Sequence, residues 1–194
     1  MMLIGVLALQ GAFVEHQKML AACGVDSRQV RKPHELKGLD GLIIPGGEST
    51  TMGKLLLEYD LLEPIKNMGA GGFPVFGTCA GLILLAREIK GSDQPRLGFM
   101  NMLVERNAFG RQVDSFEEDL VIPVLGERPL RAVFIRAPYI VSVGPEVDVL
   151  ARYEDKIVLA RQGHFLAAAF HPELTGDTRL HQLFLENVKI AQKR

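Results

Sequence analysis

The residues most suited to chemistry form one short segment, Gly77-Thr78-Cys79-Ala80-Gly81. An apolar run, Phe73 to Phe76, precedes it, and an apolar stretch, Leu82 to Ala86, follows. A strand, a sharp turn and a helix in that order make a G-x-C-x-G elbow. This is the thiol counterpart of the G-x-S-x-G nucleophile elbow. Glycines flank the nucleophile because bulkier neighbours would clash with the adjoining strand and helix. The helix start turns free N–H groups and a positive dipole end toward the sulfur, which favours thiolate. The backbone N–H of Ala80 is then a candidate oxyanion donor. A cysteine alone is often a small core residue; the strand–elbow–helix context points instead to a nucleophile.

A thiol nucleophile needs a base, and the base needs an orienting group. His171-Pro172-Glu173 directly follows the apolar run Phe165 to Phe170. In extended backbone, residues two apart project to one side. His171 and Glu173 are therefore expected together at a strand end, with Glu173 holding Nδ1–H of His171. Cysteine and histidine are far apart in sequence, so only folding can join them. A solvated His-Pro-Glu turn is the bland alternative.

Pro45-Gly46-Gly47-Glu48-Ser49 is a third element. Two glycines after a buried strand let backbone approach a ligand closely, and the N–H of Gly47 is a candidate second oxyanion donor. The segment is not a phosphate-binding loop, since Gly53-Lys54 lacks the G-x-x-x-x-G-K-[ST] frame. Arg106, Arg111 and Arg136 each follow or end a predicted strand. Any of them could grip a carboxylate through a forked pair. His16, His34, His164 and His181 show no metal-ligand spacing, and Cys23 reads as core.

The elements that must position these residues alternate in the first half. Leu3 to Leu9 is a continuous apolar run, predicted as a central strand buried on both faces. A helix is predicted over about Ala12 to Cys23, with Gly24 as its C-cap glycine. Strands follow at Val25 to Val30, Gly41 to Pro45 and Phe73 to Phe76. A helix bearing Leu55, Leu56 and Leu57 is predicted to start at Ser49 or Thr50 as N-cap. This alternation implies a parallel α/β sheet. The second half gives short β-type runs at 101–106, 120–124, 132–135, 147–153, 157–160 and 165–170, read as antiparallel additions to the sheet. A last helix over about Asp177 to Gln192 buries Leu180, Leu183, Phe184, Val188 and Ala191.

The chain has 194 residues, which fits one domain spanning 1–194. Its 22 basic and 23 acidic residues nearly cancel, so no global field recruits nucleic acid or an anionic membrane. No segment approaches the ~20 apolar residues of a membrane span, and the apolar N-terminus lacks the basic region of a signal peptide. Two cysteines make no disulfide framework, which suggests a reducing compartment. A cytoplasmic location is expected.

The three motifs, in this order, resemble the class I, triad-type glutamine amidotransferases. Further stretches narrow the resemblance: Gly5-Val6-Leu7-Ala8-Leu9-Gln10-Gly11, Glu48-Ser49-Thr50-Thr51-Met52, the run from Val104 to Gln112, and Phe134-Ile135-Arg136-Ala137-Pro138. Together they are similar to the glutaminase subunits of pyridoxal 5′-phosphate synthases, from the first strand to the last helix. The resemblance implies a single α/β domain, its central sheet mixed but mostly parallel, flanked by helices and extended by antiparallel strands. It implies that Cys79 attacks the side-chain amide of L-glutamine, that His171 moves the proton and that Glu173 orients His171. Gly47 and Ala80 would supply the oxyanion hole, and Gly47, Glu48, Ser49, Arg106, Ile135 and Arg136 would contact glutamine. No cofactor and no metal are expected. The implied partner is a TIM-barrel synthase subunit that receives the ammonia, with twelve glutaminases on a dodecameric core, and the free glutaminase is expected to be poorly active. Two alternatives stay open: a glutaminase serving another acceptor, and a non-enzymatic protein using the elbow as a redox sensor.

Overall fold

The computed structural model describes residues 2–107 and 115–193. Arg111, with the rest of the Ala108 to Gln112 stretch, lies outside them. The first half runs β1 (Leu3–Leu7), α1 (Phe13–Ala22), β2 (Asp26–Val30), β3 (Gly41–Ile44), α2 (Ser49–Glu58), α3 (Leu62–Ala70), β4 (Val75–Thr78) and α4 (Ala80–Leu85). Then come β5 (Ala86–Ile89), β6 (Met100–Glu105), β7 (Ser115–Leu120), β8 (Leu130–Ile135), β9 (Tyr139–Val143), β10 (Asp148–Tyr153), β11 (Lys156–Gln162), β12 (Phe165–Ala168) and α5 (Arg179–Ala191).

Ten strands form one mixed sheet in the order β2-β1-β3-β4-β12-β11-β9-β6-β5, with β10 also paired to β11. From β2 to β12 every pairing is parallel. Beyond β12 the pairings through β11, β9 and β6 are antiparallel, and β5 runs parallel to β6. β7 and β8 form a separate antiparallel pair. The predicted α/β architecture with antiparallel additions is the observed one.

Burial explains the division. β3 and β4 are buried at every residue, as strands covered on both faces must be. β6 and β8 alternate buried with exposed or half-buried residues, the pattern of a sheet with one wetter face. One contiguous apolar core runs from Ile4 on β1 to Val188 on α5. Among the described residues no helix is long and apolar enough to cross a membrane.

Several elements differ from the sequence reading. The strand expected at 120–124 ends at Leu120, and Pro123–Leu125 forms a 3-10 turn instead, because proline offers no N–H to a ladder. The N-cap of α2 is Glu48, not Ser49 or Thr50. α4 begins at Ala80, two residues earlier than expected. Helix α3, β5 and β9 were not predicted. In α3, Pro64 sits in the first turn, where its missing N–H costs nothing. Gly69 is there for packing, since a Cβ on it would meet the Phe99 ring at 2.4 Å.

The fold positions the site through the carboxyl ends of three adjacent parallel strands, the usual place for a ligand in such a sheet. Ile44 on β3 pairs with Gly77 on β4, and Thr78 on β4 pairs with Ala168 on β12. The Gly46-Gly47 turn, Cys79 and His171 leave those three strand ends side by side.

Candidate active site

Cys79 caps the start of α4 with φ 50° and ψ −104°. That left-handed conformation costs a non-glycine residue on the order of 1–3 kcal/mol and persists only where its surroundings enforce it. The surroundings here are specific. A Cβ on Gly77 would lie 2.5 Å from the Gly81 carbonyl carbon, and one on Gly81 would lie 2.1 Å from the Ile44 oxygen. Strand and helix therefore touch backbone to backbone, and both flanking glycines are required. The Cys79 N–H donates to the Ala168 carbonyl at 2.8 Å, which fastens the elbow to β12. Cys79 Sγ lies 3.8 Å from the Ile135 carbonyl oxygen.

His171 and Glu173 do meet, through a 3-10 turn at Pro172–Leu174 rather than the extended backbone expected. Nδ1 of His171 is 2.7 Å from Oε1 of Glu173. Both residues are buried, at 8% and 5% exposure, so their charges are poorly screened. The His171 N–H donates to Val133 O at 2.8 Å, tying the turn to β8. Burial alone would lower the His171 pKa. Hydrogen bonds and attraction to Cys79 and Glu173 outweigh it and raise the value to about 10. At neutral pH the imidazole beside the sulfur is therefore protonated. Gly46 fills the space between these groups: a Cβ there would meet His171 Cε1 at 2.4 Å and Cys79 Cβ at 3.3 Å.

A cleft of about 330 Å³ opens over Cys79. That is the low end of the range for small-molecule sites and suits an amino acid. Gly47, Glu48, Ser49, Arg106, Ile135 and Arg136 all line it, together with Cys79 and Ala80. Every residue the sequence reading assigned to glutamine thus faces one cavity. Ile83 and Asn107 also line it and had no assigned contact. Five described non-glycine residues have positive φ, and three of them, Cys79, Asn107 and Arg136, line this cleft. Backbone strain is concentrated where a ligand would sit.

Two supports were not legible in the sequence. Gln10 Oε1 accepts the Glu48 N–H at 2.9 Å, pinning the Gly46-Gly47 turn from the β1 side. Gln94 is buried, and its Oε1 accepts from Arg106 Nη1 at 3.0 Å; the same guanidinium donates to Thr50 Oγ1 at 2.9 Å. Arg106 is thereby held at the cleft rather than left solvated. Among the described residues no group of three acidic, histidine or cysteine side chains could hold a metal.

Glu48 has a structural task besides lining the cleft. Its carboxylate accepts from Thr50 N, Thr51 N and Thr51 Oγ1 at 3.0, 2.7 and 2.7 Å. Burial opposes its ionisation, but these bonds prevail and lower its pKa to about 2. Replacing Glu48 by Ala should cost about 1 kcal/mol, the usual value of an N-cap. The depressed pKa fixes the pH dependence. The carboxylate's contribution is complete above its ordinary pKa of 4.5 and is lost as pH falls through about 2. Urea denaturation should therefore separate wild type from Glu48→Ala at pH 7, with the gap closing in acid.

The model of the SNO glutamine amidotransferase family matches residues 6–190. The chain belongs to that family. A family relative named pyridoxal 5′-phosphate synthase subunit PdxT, from Pelotomaculum thermopropionicum, is 71% identical over 95% of this chain and 94% of its own. A protein of the same name from Desulforamulus reducens is 69% identical over 97% of this chain and 100% of its own. A crystal structure titled as a glutamine amidotransferase superposes with TM-score 0.91 at 53% identity, over 96% of this chain and 98% of that one. PurLQS from Thermotoga maritima, with TM-score 0.73 at 16% identity over 95% and 98% of the two chains, shares the fold.

Proposed function

We propose that the chain is the glutaminase subunit of a pyridoxal 5′-phosphate synthase. It would hydrolyse L-glutamine to L-glutamate and pass the ammonia to a synthase subunit. The observation that carries the reading is His171 set beside Cys79 with its Nδ1 2.7 Å from Glu173 Oε1, at the edge of a cleft of amino-acid size. Family membership and the names of these two relatives support the acceptor pathway.

In this reading Cys79 attacks the glutamine Cδ as thiolate, and the carbonyl oxygen becomes an oxyanion. The Gly47 and Ala80 N–H groups receive that charge, a term worth about 10²–10³ in rate per donor. The His171 imidazolium gives its proton to the departing nitrogen as the C–N bond breaks, leaving a γ-glutamyl thioester. Water then attacks, neutral His171 takes its proton, and the thiolate departs with glutamate released. Glu173 holds Nδ1–H throughout, so that the other ring nitrogen faces the reacting atoms. Glu48, Ser49, Arg106, Ile135 and Arg136 line the cleft where they would hold and orient the substrate.

The partner in this proposal is a TIM-barrel synthase subunit in a twelve-plus-twelve assembly, working in the cytoplasm, where a catalytic thiol stays reduced. The redox-sensor alternative gives no role to His171 and Glu173, because a sensor needs a thiolate but no general acid. A diazoketone analogue of glutamine tests the assignment. It should label Cys79 and spare Cys23, whose thiol burial pushes up. Peptide mass spectrometry reads the adduct, and label on Cys23 alone would remove Cys79 as nucleophile.

A further inference from the structure

Behind the triad lies a second, fully buried cluster that the mechanism above does not use. His16 on α1, His181 on α5 and Thr78 at the end of β4 are all 0% exposed. His16 Nε2 lies 3.1 Å from Thr78 Oγ1 and 3.4 Å from Glu173 Oε2. His16 Nδ1 lies 2.9 Å from His181 Nε2. Glu173 Oε1 is taken by His171, whereas the buried Oε2 makes no hydrogen bond among the described residues, with His16 Nε2 3.4 Å away but not aligned on it, and Nδ1 of His181 makes none either.

We propose that His16 is a positioning residue for the triad: its neutral Nε2–H form, set by a hydrogen bond from His181, holds the second carboxylate oxygen of Glu173. The proposal rests on the glutaminase reading above.

Hydrogen bonding selects the tautomer. Between His16 Nδ1 and His181 Nε2, one nitrogen must carry the proton and the other must be bare. If His16 carried it, its Nε2 could accept from the Thr78 hydroxyl but would turn a lone pair toward the Glu173 carboxylate 3.4 Å away, and His181 would bury an unpaired Nδ1–H. If His181 carries it, both conflicts vanish. His181 Nε2–H donates to His16 Nδ1, His16 Nε2–H donates to Thr78 Oγ1 with Glu173 Oε2 3.4 Å away as the next acceptor it could turn to, and a bare Nδ1 on His181 stays unpaired. Leaving a charged buried acceptor without a donor is the costlier fault.

The charge state agrees with this geometry. Burial lowers the His16 pKa well below its ordinary value, and repulsion from His181 and His171 lowers it further. Burial brings His181 to about 4. The titratable groups converging here are His16 from α1, His181 from α5, Cys79 from the elbow, and His171 and Glu173 from the turn after β12. A cationic His16 would compete with His171 for one carboxylate. A neutral donor anchors Glu173 without that competition.

The test uses the glutaminase–synthase complex and two substitutions. His16→Leu removes the donor, whereas His16→Gln keeps an N–H near the position of Nε2. A hydrogen bond to a buried charge corresponds to about tenfold to hundredfold in an equilibrium or a rate. His16→Leu should lower kcat by that factor with KM unchanged, because His16 does not line the cleft. His16→Gln, which keeps a donor, should restore most of that loss. Nitrogen-15 NMR of histidine in the wild-type chain gives an answer that needs neither activity nor a stable variant: His16 should be neutral with its proton on Nε2. An Nδ1–H or imidazolium His16, a KM effect without a kcat effect, or a His16→Leu variant with unchanged kcat would each overturn the proposal. A wild-type complex without glutaminase activity would instead overturn the functional reading and leave the NMR result standing.

Discussion

Replacing His171 by Asn should lower glutaminase kcat/KM on the order of 10⁴-fold or more, measured with the synthase subunit present. Members of a nucleophile–base unit fail together, and losing the base costs about as much as losing the whole set. The structure gives the reason here. The ring is held by Glu173 Oε1 at 2.7 Å, and its backbone is tied to Val133, so the base is fixed in place beside Cys79. Asn is small enough for the same pocket and polar enough to spare Glu173 an unpaired charge, so the fold and partner binding should survive. A circular-dichroism melt separates that case from unfolding. Glu173→Gln should be milder. Its carbonyl can still accept from His171 Nδ1–H, but its amide would face the N–H of His16 and favour the other tautomer of that residue, which leaves His181 with a buried, unpaired Nδ1–H. If His171→Asn kept near-full activity, another base would have to be found.

The site was legible because its chemistry is local in sequence. Each of three strands ends in its own short motif, and such a sheet gathers carboxyl ends. Cys79, His171 and Glu173 could be named before the strand order was known. The packing that supports them could not. Gln10 and Gln94 act across distances of 38 and 12 residues in the chain, and a glutamine carries no signal of its partner. His16 and His181 looked idle for the same reason: histidines 165 residues apart become a pair only once α1 and α5 are docked on the sheet. The Glu48 cap was missed because Ser and Thr are the commoner N-cap residues, whereas here the Ser49 hydroxyl sits 3.4 Å from Gln94 Oε1. Strand β5 was hidden because it follows α4 with no intervening turn, so an apolar helix and the strand after it read as one segment. β7 carries the acidic run Glu117-Glu118-Asp119, poor in β propensity, and is stabilised by its register against β8 and by Phe116 stacked on Phe134 at 4.6 Å.

Docking of the synthase subunit should raise the glutaminase kcat by at least ~10², the size of one restored oxyanion donor. The argument starts from the Gly46-Gly47 peptide. Gly11 has φ +87°, and a Cβ placed on it would meet the Gly46 oxygen at 1.6 Å. The Gly46 carbonyl therefore lies against Gly11, and the Gly47 N–H of the same planar peptide points the opposite way. Turning that peptide over exchanges the two groups without moving Cys79 or His171, and glycine on both sides makes the turn sterically cheap. A donor that can be removed so easily is a natural point of control. An enzyme whose ammonia is wasted without an acceptor gains from leaving the hole incomplete until the acceptor is docked. The donor acts on the oxyanion and not on bound glutamine, so the gain should appear in kcat rather than KM. Steady-state kinetics at saturating synthase reads it directly. Equal kcat with and without the partner would show a preformed hole, and control would then have to lie in glutamine binding or in the passage of ammonia.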